Sequence, residues 1–135
     1  SKAAIKERIR YLAQAFGMED FINKRAAKLS KGMKQKAAFA RSIVHDPDIM
    51  LFDEPTSGLD VTAARDVHDF ILRCKEEGKT IVFSSHSMSE VDKLCDRIGV
   101  IHKGKLVDCG SVEELKKKHG DDDLEELFVR LVGAK

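Results

Sequence analysis

The apolar positions of this chain change period several times, and each change marks an element. Over residues 3–16, Ile5, Ile9, Leu12 and Phe16 recur at helical spacing, and Gly17 is a stop signal. Met18–Asn23 reads as a further turn or short helix, and the basic Lys24–Lys28 leads on to Leu29. Ser30 is a good N-cap for a helix with Met33, Ala37, Ala40, Ile43 and Val44 on one side. Asp46-Pro47 ends that helix, because a residue before proline disfavours the helical region. Ile49–Phe52 then runs four apolar residues without alternation, which predicts a strand over Asp48–Asp53 buried on both faces of a parallel sheet. Pro55 forbids its continuation. A helix is predicted from about Val61 to Glu77, stopping at Gly78, with Val67, Ile71 and Cys74 on one stripe. Thr80–Ser84 predicts a second buried strand.

Ser87 and Glu90 have capping-box spacing for a helix through Cys95. Arg97–His102 and Lys105–Cys109 flank Lys103-Gly104 and read as a hairpin. Ser111 and Glu114 give a second capping box, opening a helix to about His119. Gly120 and Asp121–Asp123 separate it from a final amphipathic helix, Leu124–Leu131. Alternation of helix and strand means an α/β protein with a largely parallel sheet.

Composition narrows the setting. The chain has 135 residues, enough for one domain with one core, and its 42% hydrophobic and 35% charged content fits a globular protein rather than disorder. No apolar run approaches the ~18 residues of a membrane helix and no secretory segment is evident, so a cytosolic or peripheral chain is expected. Three cysteines without CxxC spacing argue against a disulfide framework or zinc site and for a reducing compartment. The net charge of +1 is unevenly spread: residues 1–52 hold 11 Lys+Arg against 5 Asp+Glu (+6), and residues 53–135 hold 13 against 18 (−5). The basic half suits an anionic partner such as nucleotide phosphate or lipid headgroups, or is simply a solvated helix face.

Candidate chemistry concentrates in two stretches. In Ile49–Asp60 (IMLFDEPTSGLD), Asp53 and Glu54 stand at the end of the predicted strand, where open α/β sheets bind ligands. Two carboxylates there suit a metal partner or a proton acceptor; a turn cap and a solvated loop acid are the plainer alternatives. In Leu29–Gln35 (LSKGMKQ), a serine cap, a glycine and a helix start form an anion site, or no more than an ordinary capped helix. His86 alone reads as a surface histidine before a helix, and Asp60 as an N-cap.

The order of these motifs is similar to the C-terminal part of the nucleotide-binding domain of ABC-type ATPases, from about residue 3 onward. LSKGMKQ resembles the family's signature (LSGGQ), IMLFDEP its Walker B strand with the following glutamate, SGLD its D-loop and His86 its switch histidine. The resemblance implies a partial P-loop NTPase-like fold: residues 1–45 a remnant of the helical subdomain, 46–110 the Walker B, D-loop and switch-histidine core, and 111–135 C-terminal helices. It implies ATP and Mg²⁺ as cofactors. Asp53 would hold the metal, Glu54 would act as general base toward water, and His86 would bond the γ-phosphate. Ser30, Gly32 and Gln35 would belong to the nucleotide-contacting signature, and Asp60 would lie at the interface with a second nucleotide-binding domain. Lys31 and Met33 depart from the commoner signature; Met33 cannot make the polar contacts of glutamine and has no ligand role.

The 135 residues contain no G-x-x-x-x-G-K-[ST] loop, so the chain is expected to be a fragment, inactive alone, with an unpaired strand edge prone to dimerise or swap. The implied parent is an ATPase subunit of a membrane transporter, of the exporter type that includes sodium- and drug-export ATPases. It would sit peripherally on the cytoplasmic face beside a separate transmembrane permease, with no nucleic acid partner. The alternative is the C-terminal lobe of an SMC-type chromosome or DNA-repair ATPase, which should show a long heptad coiled coil before the signature. A soluble translation-type or regulatory ABC protein is a third class, normally with tandem domains.

Overall fold

The computed structural model describes residues 1–120 and 123–133; Asp121 and Asp122 of the acidic separator lie outside the described residues. The chain divides into two compact units, Ser1–Ser84 and the residues from Ser85 onward.

The first unit contains α1 (Lys2–Ala15), a 3₁₀ turn (Ala26–Lys28), α2 (Lys31–Ile43), β1 (Ile49–Phe52), α3 (Val61–Glu76) and β2 (Thr80–Phe83). The strands pair in parallel, Ile49 opposite Thr80 through Phe52 opposite Phe83, with α3 as the crossover between them. Backbone bonds from Thr80 to Asp48 and from Ser84 to Phe52 (2.8 and 3.0 Å) extend the ladder at both ends. Four phenylalanines join the layers. Phe39 of α2 stacks 4.8 Å from Phe52 of β1, and Phe16, which caps α1, lies 5.2 Å from both Phe39 and Phe70 of α3. Phe16 and Phe70 are fully buried. The stripe Val67, Ile71 and Cys74 is buried as its spacing predicts.

Two polar ties fix the helices around that core. The Lys36 ammonium donates to the Phe16 carbonyl (2.9 Å) and to Asp66 of α3 (3.0 Å). Asp46, in the left-handed region at φ 55° before Pro47, accepts from Lys79 and Arg8, each at 2.8 Å. The Lys79 hydrogen bond is the main cause holding the Asp46 carboxyl below its usual range, and the same bond raises Lys79. Helix α2 ends at Ile43, three residues before Asp46.

Two expectations need correction. The strands are not buried on both faces: Met50 is buried, but Ile49 and Leu51 are 67% and 75% exposed and Val82 is 56% exposed. The parallel pair has only two strands, and among the described residues of this unit its Ile49–Leu51–Val82 face is left open. The uninterrupted apolar run therefore signals an apolar surface, not burial. Likewise α1 has the predicted period, yet Ile5 and Ile9 are 59% and 40% exposed while Leu12 and Phe16 are buried.

The second unit contains α4 (Met88–Leu94), β3 (Arg97–His102), β4 (Lys105–Ser111), α5 (Val112–His119) and α6 (Leu124–Gly133). The hairpin is antiparallel, with a bulge between Val100 and Ile101. Its two-residue turn has positive φ at both central positions, 48° at Lys103 and 73° at Gly104, the backbone a tight hairpin of this twist requires. The capping box at Ser111 and Glu114 forms as the spacing predicts, with bonds of 3.0 and 2.8 Å. Leu94, Val100, Leu115, Leu124 and Leu127 form this unit's core, and α6 packs on α4, α5 and both strands. No helix among the described residues is long and apolar enough to cross a membrane.

Candidate functional site

Asp53 follows β1 directly, and the parallel register places Ser84, the residue after β2, beside it. The Ser84 hydroxyl donates to Asp53 Oδ1 at 2.6 Å and accepts from the Glu54 N–H at 2.9 Å. One hydroxyl thus joins the two strand ends and orients the acid. Glu54 sits at φ 44°, in the left-handed region, immediately before Pro55. Such a conformation costs on the order of 1–3 kcal/mol and persists where surrounding bonds impose it. Here the Ser84 contact on its N–H and the Ser57 N–H on its carbonyl (3.0 Å) impose it. The chain then turns again, Leu59 N–H to Thr56 carbonyl at 3.1 Å.

This turn is tied to the signature-like helix. The Gln35 amide donates to the Ser57 carbonyl at 3.2 Å, and its buried Oε1 finds no hydrogen-bond partner within the described residues. Gly58 lies in the left-handed region at φ 72°, and a Cβ there would sit in ordinary contact, 3.5 Å from Gln35 Nε2. Asp60 caps α3 by accepting the Ala63 N–H at 2.8 Å.

At the start of α2, Ser30 caps through the Met33 N–H (3.2 Å), and the Ser30 N–H meets the Met33 thioether at 3.5 Å. Sulfur is a weak acceptor, so this cap has the shape of a capping box with one weak arm. Gly32 has no positive φ, and a Cβ built on it would meet nothing within 4 Å. Neither backbone conformation nor packing within the chain calls for glycine here.

His86 lies in the second unit, exposed, between Ser85 and Ser87. The first unit therefore brings together Asp53, Glu54, Gln35 and the turn to Asp60, with Ser30 and Gly32 at the head of the same α2. Ser84 was missed by sequence reasoning; its signal was the SSHS run directly after the second strand, one position beyond the residue paired with Phe52.

The donor chemistry fits Mg²⁺. The ion favours oxygen and is usually held by one or two carboxylates plus water and phosphate. Asp53 and Glu54 supply carboxylates, and Asp53 keeps lone pairs beyond the one that meets Ser84. Among the described residues no group of three or more His, Cys, Asp or Glu side chains forms a metal cage.

The first unit is thus an α/β unit with two acids at the end of its parallel pair and a capped helix after the turn that follows. Residues 11–92 match the family model described as "AAA domain, putative AbiEii toxin, Type IV TA system". That match covers more than half of the chain, and the chain belongs to this AAA-domain family. Within it the chain is similar to ATP-binding proteins of ABC transporters. It is 49% identical over 125 residues to the ABC transporter ATP-binding protein NatA of Bacillus subtilis, across 93% of this chain and 51% of the relative. It is 42% identical over 105 residues to a fluoroquinolones export ATP-binding protein of Mycobacterium tuberculosis, across 78% of this chain and 35% of the relative. A solved structure of an ATP-binding subunit of an ABC transporter superposes with a TM-score of 0.88 at 28% identity, over 97% of this chain and 55% of that one. The chain thus spans about a third to about half the length of these relatives.

Proposed function

We propose that this chain supplies the acidic and signature parts of an ATP-hydrolysing site that powers an exporter-type ABC transporter. The observation that carries this reading is the Asp53–Ser84–Glu54 bridge at the end of the parallel pair. It fixes the Asp53 carboxylate against the Glu54 backbone at the end of the strands, which supports positioning of a cation and a nucleophile there. When bound, Mg²⁺ supplies charge neutralisation on the phosphates. Asp53 holds it, with Ser84 fixing the carboxylate. Glu54 orients the attacking water and accepts its proton, and the constrained backbone restricts where that carboxylate can go. His86 bonds the γ-phosphate. Ser30, Gly32 and Gln35 belong to the signature surface that meets nucleotide held by a second copy of the domain. Asp60 combines its cap with the contact between copies.

The absence of a Cβ at Gly32 supports close approach from outside the chain, since nothing inside it uses the space. The proposed partners are a second nucleotide-binding domain and a transmembrane permease, with the chain peripheral on the cytoplasmic face. The relatives named for transport and export favour this over a chromosome or DNA-repair ATPase, and over the toxin system in the family description.

The experiment is a nucleotide titration followed by phosphate release, comparing the 135-residue chain alone with the longer protein carrying it. The chain alone is expected to neither bind ATP tightly nor turn it over, because its sequence contains no phosphate-cradling loop. The longer protein is expected to do both, and to lose hydrolysis but retain binding on Glu54→Gln. Micromolar binding with turnover by the 135 residues alone would refute the assignment of this chain as an incomplete site.

A further inference from the structure

Glu90 is a buried acid in the core of the second unit, only 6% exposed. A carboxylate removed from water is costly unless it is well bonded, and a hydrophobic residue of similar size often serves stability as well or better. Several of its bonds run to one turn. The Ser85 hydroxyl donates to Glu90 Oε2. The Ser87 N–H donates to that same Ser85 oxygen at 3.0 Å. The Glu90 N–H donates to the Ser87 hydroxyl at 3.3 Å, and the hydroxyls of Ser87 and Ser89 lie 3.0 Å apart. A closed ring of bonds therefore runs from the Glu90 side chain through both residues flanking His86 and back to the Glu90 backbone. His86, itself exposed, lies between Ser85, whose hydroxyl bonds the buried Glu90, and Ser87, whose N–H bonds that same hydroxyl.

From this ring we infer that Glu90 is a positioning residue: it fixes the Ser85–Ser87 turn and thereby the place of His86. The inference rests on the reading of His86 as a γ-phosphate contact. The Glu90 carboxylate accepts from Ser85. Holding an exposed turn in one conformation costs backbone entropy. A charge-assisted hydrogen bond to a rigid core residue offsets that cost before a ligand arrives. Pre-positioning of this kind acts on turnover, because misplacing a catalytic group by about 1 Å can cost on the order of 100-fold.

The test uses three variants. Glu90→Leu removes the acceptor, Ser85→Ala removes the donor without touching the core, and Glu90→Gln keeps an oxygen for the hydroxyl. In the 135-residue chain, NMR of the Ser85–Ser87 amides and the His86 imidazole is expected to show one narrow set for wild type and Glu90→Gln. Glu90→Leu and Ser85→Ala are expected to shift and broaden those signals while the Leu115 and Leu127 methyls stay in place. In the longer protein, kcat for ATP is expected to fall roughly 10- to 100-fold in Ser85→Ala and Glu90→Leu with KM nearly unchanged, and to recover in Glu90→Gln. Unchanged His86 signals in both Ser85→Ala and Glu90→Leu would overturn the inference. His86→Ala with wild-type turnover would instead overturn the role given to His86, and the NMR comparison would still decide whether Glu90 holds the turn.

Discussion

Two positions at the head of α2 set function against stability. Gly32 occupies the first turn of a helix, where its freedom costs more than alanine, yet nothing packs against it. Gly32→Ala is therefore expected to raise the chain's unfolding free energy by roughly 0.5 kcal/mol, read from urea melts. The same variant is expected to lower ATP hydrolysis in the longer protein, because the added methyl fills the space proposed for nucleotide. Met33 makes the opposite case. Its thioether stands where a capping box takes Glu or Gln, and Met33→Gln is expected to strengthen the cap by about 0.5 kcal/mol in the same melts. The Ser30 cap and the end of α2 before Asp46-Pro47 were legible because local chemistry determines them, while the left-handed φ of Asp46 was not. The strained Glu54 was not, since its backbone is imposed by Ser84, thirty residues away in sequence.

At the scale of elements, the four-phenylalanine cluster and the open sheet face behave differently under mutation. Phe70 is fully buried against Phe16 and Phe39, so Phe70→Ala is expected to cost about 3–5 kcal/mol and to unfold much of the first unit, visible by circular dichroism. Leu51 is three-quarters exposed although it lies in the same strand as buried Met50. Leu51→Lys is expected to change the stability of the isolated chain by less than about 0.5 kcal/mol and to reduce any concentration-dependent association seen by sedimentation. Element types and most boundaries followed from periodicity, and the hairpin from Lys103-Gly104. Burial of the strands did not, because an apolar run reports what a strand can pack against, not what this chain places there. The Glu90 side chain was also misjudged: Ser87-to-Glu90 spacing suggested a reciprocal cap, while its carboxylate meets Ser85, a partner outside the pattern.

Across the whole molecule, the two units carry different electrostatic ties. In the second, the Asp108 carboxylate accepts from Lys118 at 2.8 Å and pairs with His119 at 2.7 Å. The Lys118 bond first, then the His119 bond, holds Asp108 well below the usual carboxylate range. Its folded value lies under its unfolded value, so the stability it contributes is present above pH ~4 and is lost as pH falls toward the folded value. Asp108→Asn is expected to destabilise the second unit at pH 7, with the difference from wild type shrinking below pH ~4, in melts followed at Leu115 and Leu127. That network was absent from the sequence reading, which gave only a capped helix from Ser111 to about His119. By contrast, the resemblance to the ATP-binding part of an ABC-type ATPase was legible in motif order alone, and the similarity to transporter ATP-binding proteins agrees with it.

The central claim is that Asp53 and Glu54, joined by Ser84, form the hydrolytic edge of an ATPase. Single-turnover ATP hydrolysis by the longer protein carrying this chain, with Glu54→Gln beside wild type, tests it most directly. The account predicts at least about a 100-fold loss of the chemical step with ATP affinity changed by less than about threefold. Wild-type hydrolysis by Glu54→Gln would contradict it.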